Sequence, residues 1–160
     1  MKKIKLTNGG YAVVDDRDFS FLNKFKWKKD IGGYAVRQSR LGGRKAKFLM
    51  FRMHRIVLML PDSGRWVQID HKDHNRLNNQ SSNLRICSQA LNNRNATMRT
   101  DNKWGYKGVA KHNYKWIARI QANGEKIVLE GFNSPKEAAH AYNKLARKYH
   151  GKFAYLNKIK

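Results

Sequence analysis

Residues 69–79, IDHKDHNRLNN, place two Asp-His pairs and two adjacent asparagines within a chain of formal net charge +23. Hydrolysing a phosphodiester needs a base to activate water and a divalent cation to neutralise charge on the phosphate and the leaving oxygen. Imidazole suits the base, since its unperturbed pKa of about 6.5 lets it take a proton near neutrality. Carboxylate and amide oxygens suit magnesium, a hard ion that keeps several of its waters. His71 is the candidate base and Asp70 a candidate metal ligand, side by side at the end of a predicted strand and facing opposite ways. Asn92, on a helix further along, is placed to complete the metal site. The same residues also fit a polar loop on an RNA-binding surface, with Asn78 and Asn79 making turn contacts. Zinc on His71 and His74 fits poorly, because Cys87 is the single cysteine and falls in a predicted strand.

The elements that must position these residues are short. Residues 67–70 read as a strand, 72–82 as an Asn-rich loop and 84–86 as a second strand, with Ser88 as N-cap of a helix running through Asn95. Upstream, residues 4–7, 11–14 and 34–36 alternate with Gly-rich turns and read as strands, and residues 47–51 as one more. Asp18 is placed to cap a short helix that buries Phe19, Leu22 and Phe25, and residues 54–60 form another helix stopped by Pro61. Downstream, residues 106–109, 116–120 and 126–129 read as three strands, the last two joined by an Asn123-Gly124 turn. A helix follows with Ser134 as N-cap, Pro135 at the first position and Glu137 completing a capping box; Gly151 ends it. Ala138, Tyr142, Leu145 and Tyr149 share its expected buried face.

Of the 160 residues, 34 are Lys or Arg against 11 Asp or Glu, spread along the whole chain, and such a field attracts nucleic acid. One cysteine excludes an internal disulfide and suits a reducing compartment. The opening MKKIKLTNGG turns polar at once, unlike a secretory signal, and the apolar run 56–60 is too short to span a bilayer. A cytoplasmic protein without a membrane role is expected.

The run HRIVL followed by VQIDHKDHNRLNNQSSNLRICSQALNNRN resembles the HNH endonucleases, in particular the phage and intron-borne type with its D-H-x-D, N-N, N-L-R and final asparagine. The resemblance covers about forty residues and implies a ββα-metal fold. It implies His71 as general base, Asp70 and Asn92 as ligands of magnesium or manganese, and Asn83 as the asparagine that braces the loop. His74 departs from the family, which has a small residue there. Arg85 and Arg94 flank the site and are candidates for holding phosphate. Residues 106–157 resemble the plant ethylene-response-factor (APETALA-two) DNA-binding domain through Tyr106, Gly108-Val109, Lys115-Trp116, Phe132, the EAAHAY helix, Gly151, Ala154 and Asn157. In that family an exposed sheet face reads duplex DNA, and Lys107, His112, Arg119, Gln121 and Lys126 correspond to that face. Ala110 and Val128 replace an arginine and a tryptophan that contact DNA in the plant domains, and Glu130-Gly131 disturbs the usual Leu-Gly step.

The expected fold is α+β: a small α/β region over residues 1–50, a ββα-metal nuclease core over 51–97, a linker at 98–104, and a three-stranded antiparallel sheet packed on one helix over 105–160. The expected function is an HNH homing endonuclease acting as a monomer on double-stranded DNA, in a bacterial cytoplasm if phage-encoded. A DNA-binding regulator with an inactive HNH fold and an RNA-binding structural protein are the alternatives.

Overall fold

The computed structural model describes all residues except 41, 43–47, 62–66 and 160. It divides into two compact units, Met1–Gln89 and Ala90–Lys160.

The first unit opens with a hairpin of β1 (Lys2–Lys5) and β2 (Tyr11–Val14), turned by Gly9 and Gly10, both at positive φ. Alternation buries Ile4 on β1 and Ala12 and Val14 on β2, where they meet Leu22, Trp27, Ala35 and Met53 in one core. Helix α1 (Asp16–Leu22) contributes fully buried Leu22, while Phe19 and Phe25 pack partly buried at its margin. Its N-cap is Asp15, not the expected Asp18, which lies inside the helix. The Asp15 carboxylate does not cap the helix; it accepts from the Ser81 amide at 2.8 Å and the Ser81 hydroxyl at 2.6 Å. Those Ser81 bonds, foremost among the causes, hold the Asp15 pKa below its ordinary value.

Strands β3 (Lys28–Lys29), β4 (Ala35–Arg40) and β5 (Phe48–Arg52) form an antiparallel sheet in that order. Lys47, expected to begin β5, lies outside the described residues. Helix α2 (Met53–Val57) is shorter than residues 54–60, because Met59 turns to φ 54° and the Leu60 amide bonds back to the Arg55 carbonyl. Strands β6 (Gln68–His71) and β7 (Leu84–Cys87) pair antiparallel, setting Asp70 opposite Arg85 and His71 opposite Leu84.

Helix α3 (Gln89–Asn95), which the sequence assigns to the 51–97 core, falls with the second unit apart from its first residue. That unit contains an antiparallel sheet of β8 (Val109–His112), β9 (Lys115–Ala122) and β10 (Glu125–Phe132), with β9 central. Asn123 and Gly124 both take positive φ, as a tight two-residue hairpin turn requires. Strand β8 begins at Val109 rather than Tyr106, because residues 106–108 are claimed by other bonds. The Asn157 side chain accepts from the Lys107 amide and donates to the Lys107 carbonyl, at 2.7 and 3.0 Å. Gly108 sits at φ 72° where an added Cβ would lie 2.2 Å from the Tyr142 ring.

Helix α4 (Pro135–His150) packs on one sheet face, burying Ala138, Ala139, Tyr142 and Ala146 against Val109, Ala118 and Ile120. The Glu137 amide donates to the Ser134 hydroxyl at 3.2 Å, and the Glu137 carboxylate accepts from the Asn133 amide at 3.0 Å. The buried stripe differs from the expected one: Leu145 is only partly buried, and Asn143 and His150 take inner positions. Asn143 is accommodated by bonds to the Asn157 backbone, its amide donating to the carbonyl at 2.9 Å and accepting from N–H at 2.7 Å.

Candidate active site

Strand β6 delivers Asp70 and His71 together, and both are buried, at 6% and 4% exposure. Such burial of a carboxylate requires compensation. Arg85 provides it from the facing strand, donating from Nε and Nη2 to Asp70 Oδ2 at 2.6 and 2.5 Å. The guanidinium, read from sequence as a candidate phosphate contact, is thus turned inward and is itself largely buried.

After His71 the chain enters a loop knit by its own amides. The Asp73 amide donates to Asn83 Oδ1 at 3.1 Å, and Asn83 Nδ2 donates to Asp73 Oδ1 at 2.9 Å and to the Asn78 carbonyl at 2.8 Å. Asp73 also accepts from the Asn75 amide and from Asn78 Nδ2, at 2.8 and 2.7 Å. Burial alone would push the Asp73 pKa up, but bonds from Asn78, Asn75 and Asn83 outweigh it and hold the carboxylate below its ordinary range. His74 is exposed at φ 63°, a left-handed turn position that a glycine fits most easily.

The environment of His71 was not legible in the sequence. Its ring lies 5.4 Å from His54, edge to face at 89°, and 5.9 Å from Tyr34. Asn79, with no exposed surface, presents Oδ1 at 3.5 Å from His71 Nε2. Arg76 stacks over Tyr34 and donates to the Gly32 carbonyl, tying the loop to the turn before β4. Burial lowers the His71 pKa more than the Asn79 bond and the Asp73 and Asp70 charges raise it, so the imidazole is neutral at neutral pH. His54 is pushed down to about 3, by burial first and then by the charges of His71, Arg52 and Arg55. A neutral imidazole beside a carboxylate can accept a proton from water next to a divalent ion.

One relative matches along nearly all of this chain. The uncharacterized HNH endonuclease L560 of Acanthamoeba polyphaga mimivirus is 32% identical over 154 residues, covering 94% of the chain and 76% of the relative. The chain belongs to the HNH endonuclease family. No family model and no solved structure matches it. Nuclease homology implies DNA as substrate, and HNH nucleases typically use a divalent metal. Among the described residues no group of three or more His, Cys, Asp and Glu side chains could hold a metal. Asn92 and Arg94 lie on α3, in the second unit. No helix among the described residues is long and apolar enough to cross a membrane.

In the second unit, strand pairing sets Arg119 and Gln121 on β9 beside Val128 and Lys126 on β10, on the face away from α4. Arg119, Gln121, Lys126 and His112 are exposed. His112 Nδ1 lies 3.9 Å from a Glu130 carboxylate oxygen. Lys107 departs from this arrangement, since its ammonium donates to the carbonyls of Arg94 and Ala96 at 2.9 and 2.5 Å. Burial lowers its pKa to about 8. A cavity of about 760 Å³ in this unit is lined by Arg94, Arg99, Lys107, Arg119 and Lys126 among others, with no acidic side chain in its wall.

Proposed function

We propose that the protein is a metal-dependent DNA endonuclease that hydrolyses phosphodiester bonds with His71 as general base. Family membership supports the reaction class, and the observation that carries the assignment is the buried imidazole of His71 next to Asp70 on one strand, with burial lowering its pKa. His71 takes the proton of the attacking water as its oxygen bonds to phosphorus; the P–O3′ bond breaks and the leaving oxygen takes a proton from solvent, so one product carries a 5′ phosphate and the other a 3′ hydroxyl. The family resemblance implies Asp70 and Asn92 as the residues that would hold one magnesium or manganese ion, which would supply neutralising charge to the phosphate and the leaving oxygen. Arg85 fixes the direction of the Asp70 carboxylate. Asn83 keeps the loop folded around His71 through Asp73 and Asn78.

Binding falls to the second unit in this proposal. Its open sheet face, with Arg119, Gln121 and Lys126, engages duplex DNA as ethylene-response-factor domains do, and the cationic cavity with Arg94 adds phosphate contacts. Lys107, committed to carbonyls, contributes positive potential more than a contact. The plant target sequence does not carry over, since Ala110 and Val128 lack the contacting side chains of the plant domains. Such an enzyme, monomeric and free of membranes, would serve as a phage-type homing endonuclease in a host cytoplasm.

The test is incubation of purified protein with supercoiled DNA from its source genome, with magnesium or with EDTA, beside His71→Ala. Nicked or linear product that needs magnesium and falls by about 10²–10⁴-fold in His71→Ala is expected. Tight DNA binding without cleavage would instead make the protein a DNA-binding regulator.

A further inference from the structure

Asn79 is the most deeply enclosed polar side chain near His71, and three bonds define its orientation. Its amide N–H donates to the Val13 carbonyl at 2.7 Å, the Val13 amide donates to the Leu77 carbonyl at 2.8 Å, and Asn79 Nδ2 donates to that same Leu77 carbonyl at 3.1 Å. Turning the side-chain amide over would set its oxygen against a carbonyl, so the Nδ2 bond commits Oδ1 to face His71 Nε2. A carboxamide oxygen only accepts; the imidazole nitrogen that meets it must carry the proton. In a neutral imidazole the other nitrogen, Nδ1, then keeps the lone pair.

We propose that Asn79 is a positioning residue of the nuclease site: by accepting the Nε2 proton of His71 it selects the imidazole tautomer in which Nδ1 is the base. The inference rests on the proposed role of His71 and deepens it. The separation of 3.5 Å is at the long end for such a bond, as in catalytic groups whose contacts tighten when substrate binds. On other sides the ring is confined by His54 and Tyr34, so a side chain in one tautomer and one orientation is what the fold delivers. The constraint originates in β2. Residues 77–79 bond to Val13 as a parallel bridge, and Val13 lies between Ala12 and Val14, which are both part of the first core. The N-terminal hairpin is thereby a mount for the base, a task for which its own sequence carries no chemical signature.

The experiment compares wild type, Asn79→Leu and Asn79→Asp by ¹⁵N NMR of histidine-labelled protein at neutral pH, with kcat and KM for plasmid cleavage measured in parallel. Leucine removes the acceptor at similar volume; aspartate keeps an oxygen toward His71. Wild type is expected to show His71 protonated at Nε2. Asn79→Leu should lose that preference and drop kcat by about 10–100-fold with KM little changed, and Asn79→Asp should recover the tautomer and part of the rate. His71 protonated at Nδ1 in wild type would overturn the proposal even if Asn79→Leu cannot be folded. So would a folded Asn79→Leu with tautomer and kcat intact. Wild type with the Nε2–H tautomer and no magnesium-dependent cleavage supports the hydrogen bond and overturns the nuclease reading instead.

Discussion

The two units place their candidate functional side chains in opposite settings, although both bury some polar groups. In the first, Asp70, His71, Asn79 and Asn83 are buried, and each is held by a named partner a few ångströms away. In the second, Arg119, Gln121 and Lys126 stand on an open sheet, the two cations and the amide exposed to solvent. Buried polar networks in a low dielectric fix geometry, and lose much when one member is removed. Exposed cations act through a summed field that salt screens and that no single residue dominates. Positional precision and long-range attraction are thus separated along the chain.

Asn83→Ala should reveal the difference most strongly. It removes two donated bonds and one accepted bond, leaving Asp73 and the Asn78 carbonyl short of partners. With a cost of about 1–3 kcal/mol for a buried group left unpaired, a loss of about 2–4 kcal/mol is expected in urea unfolding. A loss below about 1 kcal/mol would show the loop network to be no tighter than the sheet surface.

Acidification is the next largest effect. His54 titrates near 3 in the folded protein against an ordinary 6.5, so below 6.5 the unfolded chain binds the proton more readily. Its contribution is intact above pH 6.5 and is lost as the pH falls toward 3, by up to about 1.4 kcal/mol per pH unit. His71 shifts in the same direction, whereas lowered Asp73 and Asp15 lose their contributions only at lower pH, around and below the ordinary carboxylate value of 3.8. Urea midpoints at pH 7.5 and 5 should therefore differ, and His54→Phe should reduce the difference; an unchanged difference would mean that His54 is not the proton acceptor.

The smallest effect belongs to Arg119→Ala on the sheet. Duplex binding at low salt should weaken a few-fold, with the slope of log K against log salt reduced by about 0.9 if one phosphate contact is lost. An equally large drop in kcat at saturating DNA would break the division between the two units, because an exposed sheet cation has no place in the proton transfer.

Local chemistry was legible wherever neighbours in sequence remain neighbours in space. The capping box at Ser134 and Glu137, the Asn123-Gly124 turn and the Asp70-His71 pair are all of this kind. Asn79 was visible only as a turn residue, because its bond to Val13 spans most of the first unit and leaves no periodic trace. Tyr34 was opaque for the same reason: its contact with His71 arises from packing across distant segments. Lys107 shows a different kind of gap between sequence and structure. The resemblance placed it on the exposed sheet face by position, but Asn157 and Tyr142 hold residues 107–108 before the strand begins, and the ammonium bonds the Arg94 and Ala96 carbonyls.

The register shift between Leu129 and Phe132, with Gly131 at φ 90°, lies on β10, an edge strand of the second sheet. An edge strand offers unpaired backbone groups to any passing strand, and a continuous one invites copies of a protein to add to one another. The irregularity interrupts that template, and Glu125, Lys126 and Glu130 place charges along it. Copies of so basic a chain brought together on a polyanion would meet along such edges, and the interruption works against their pairing.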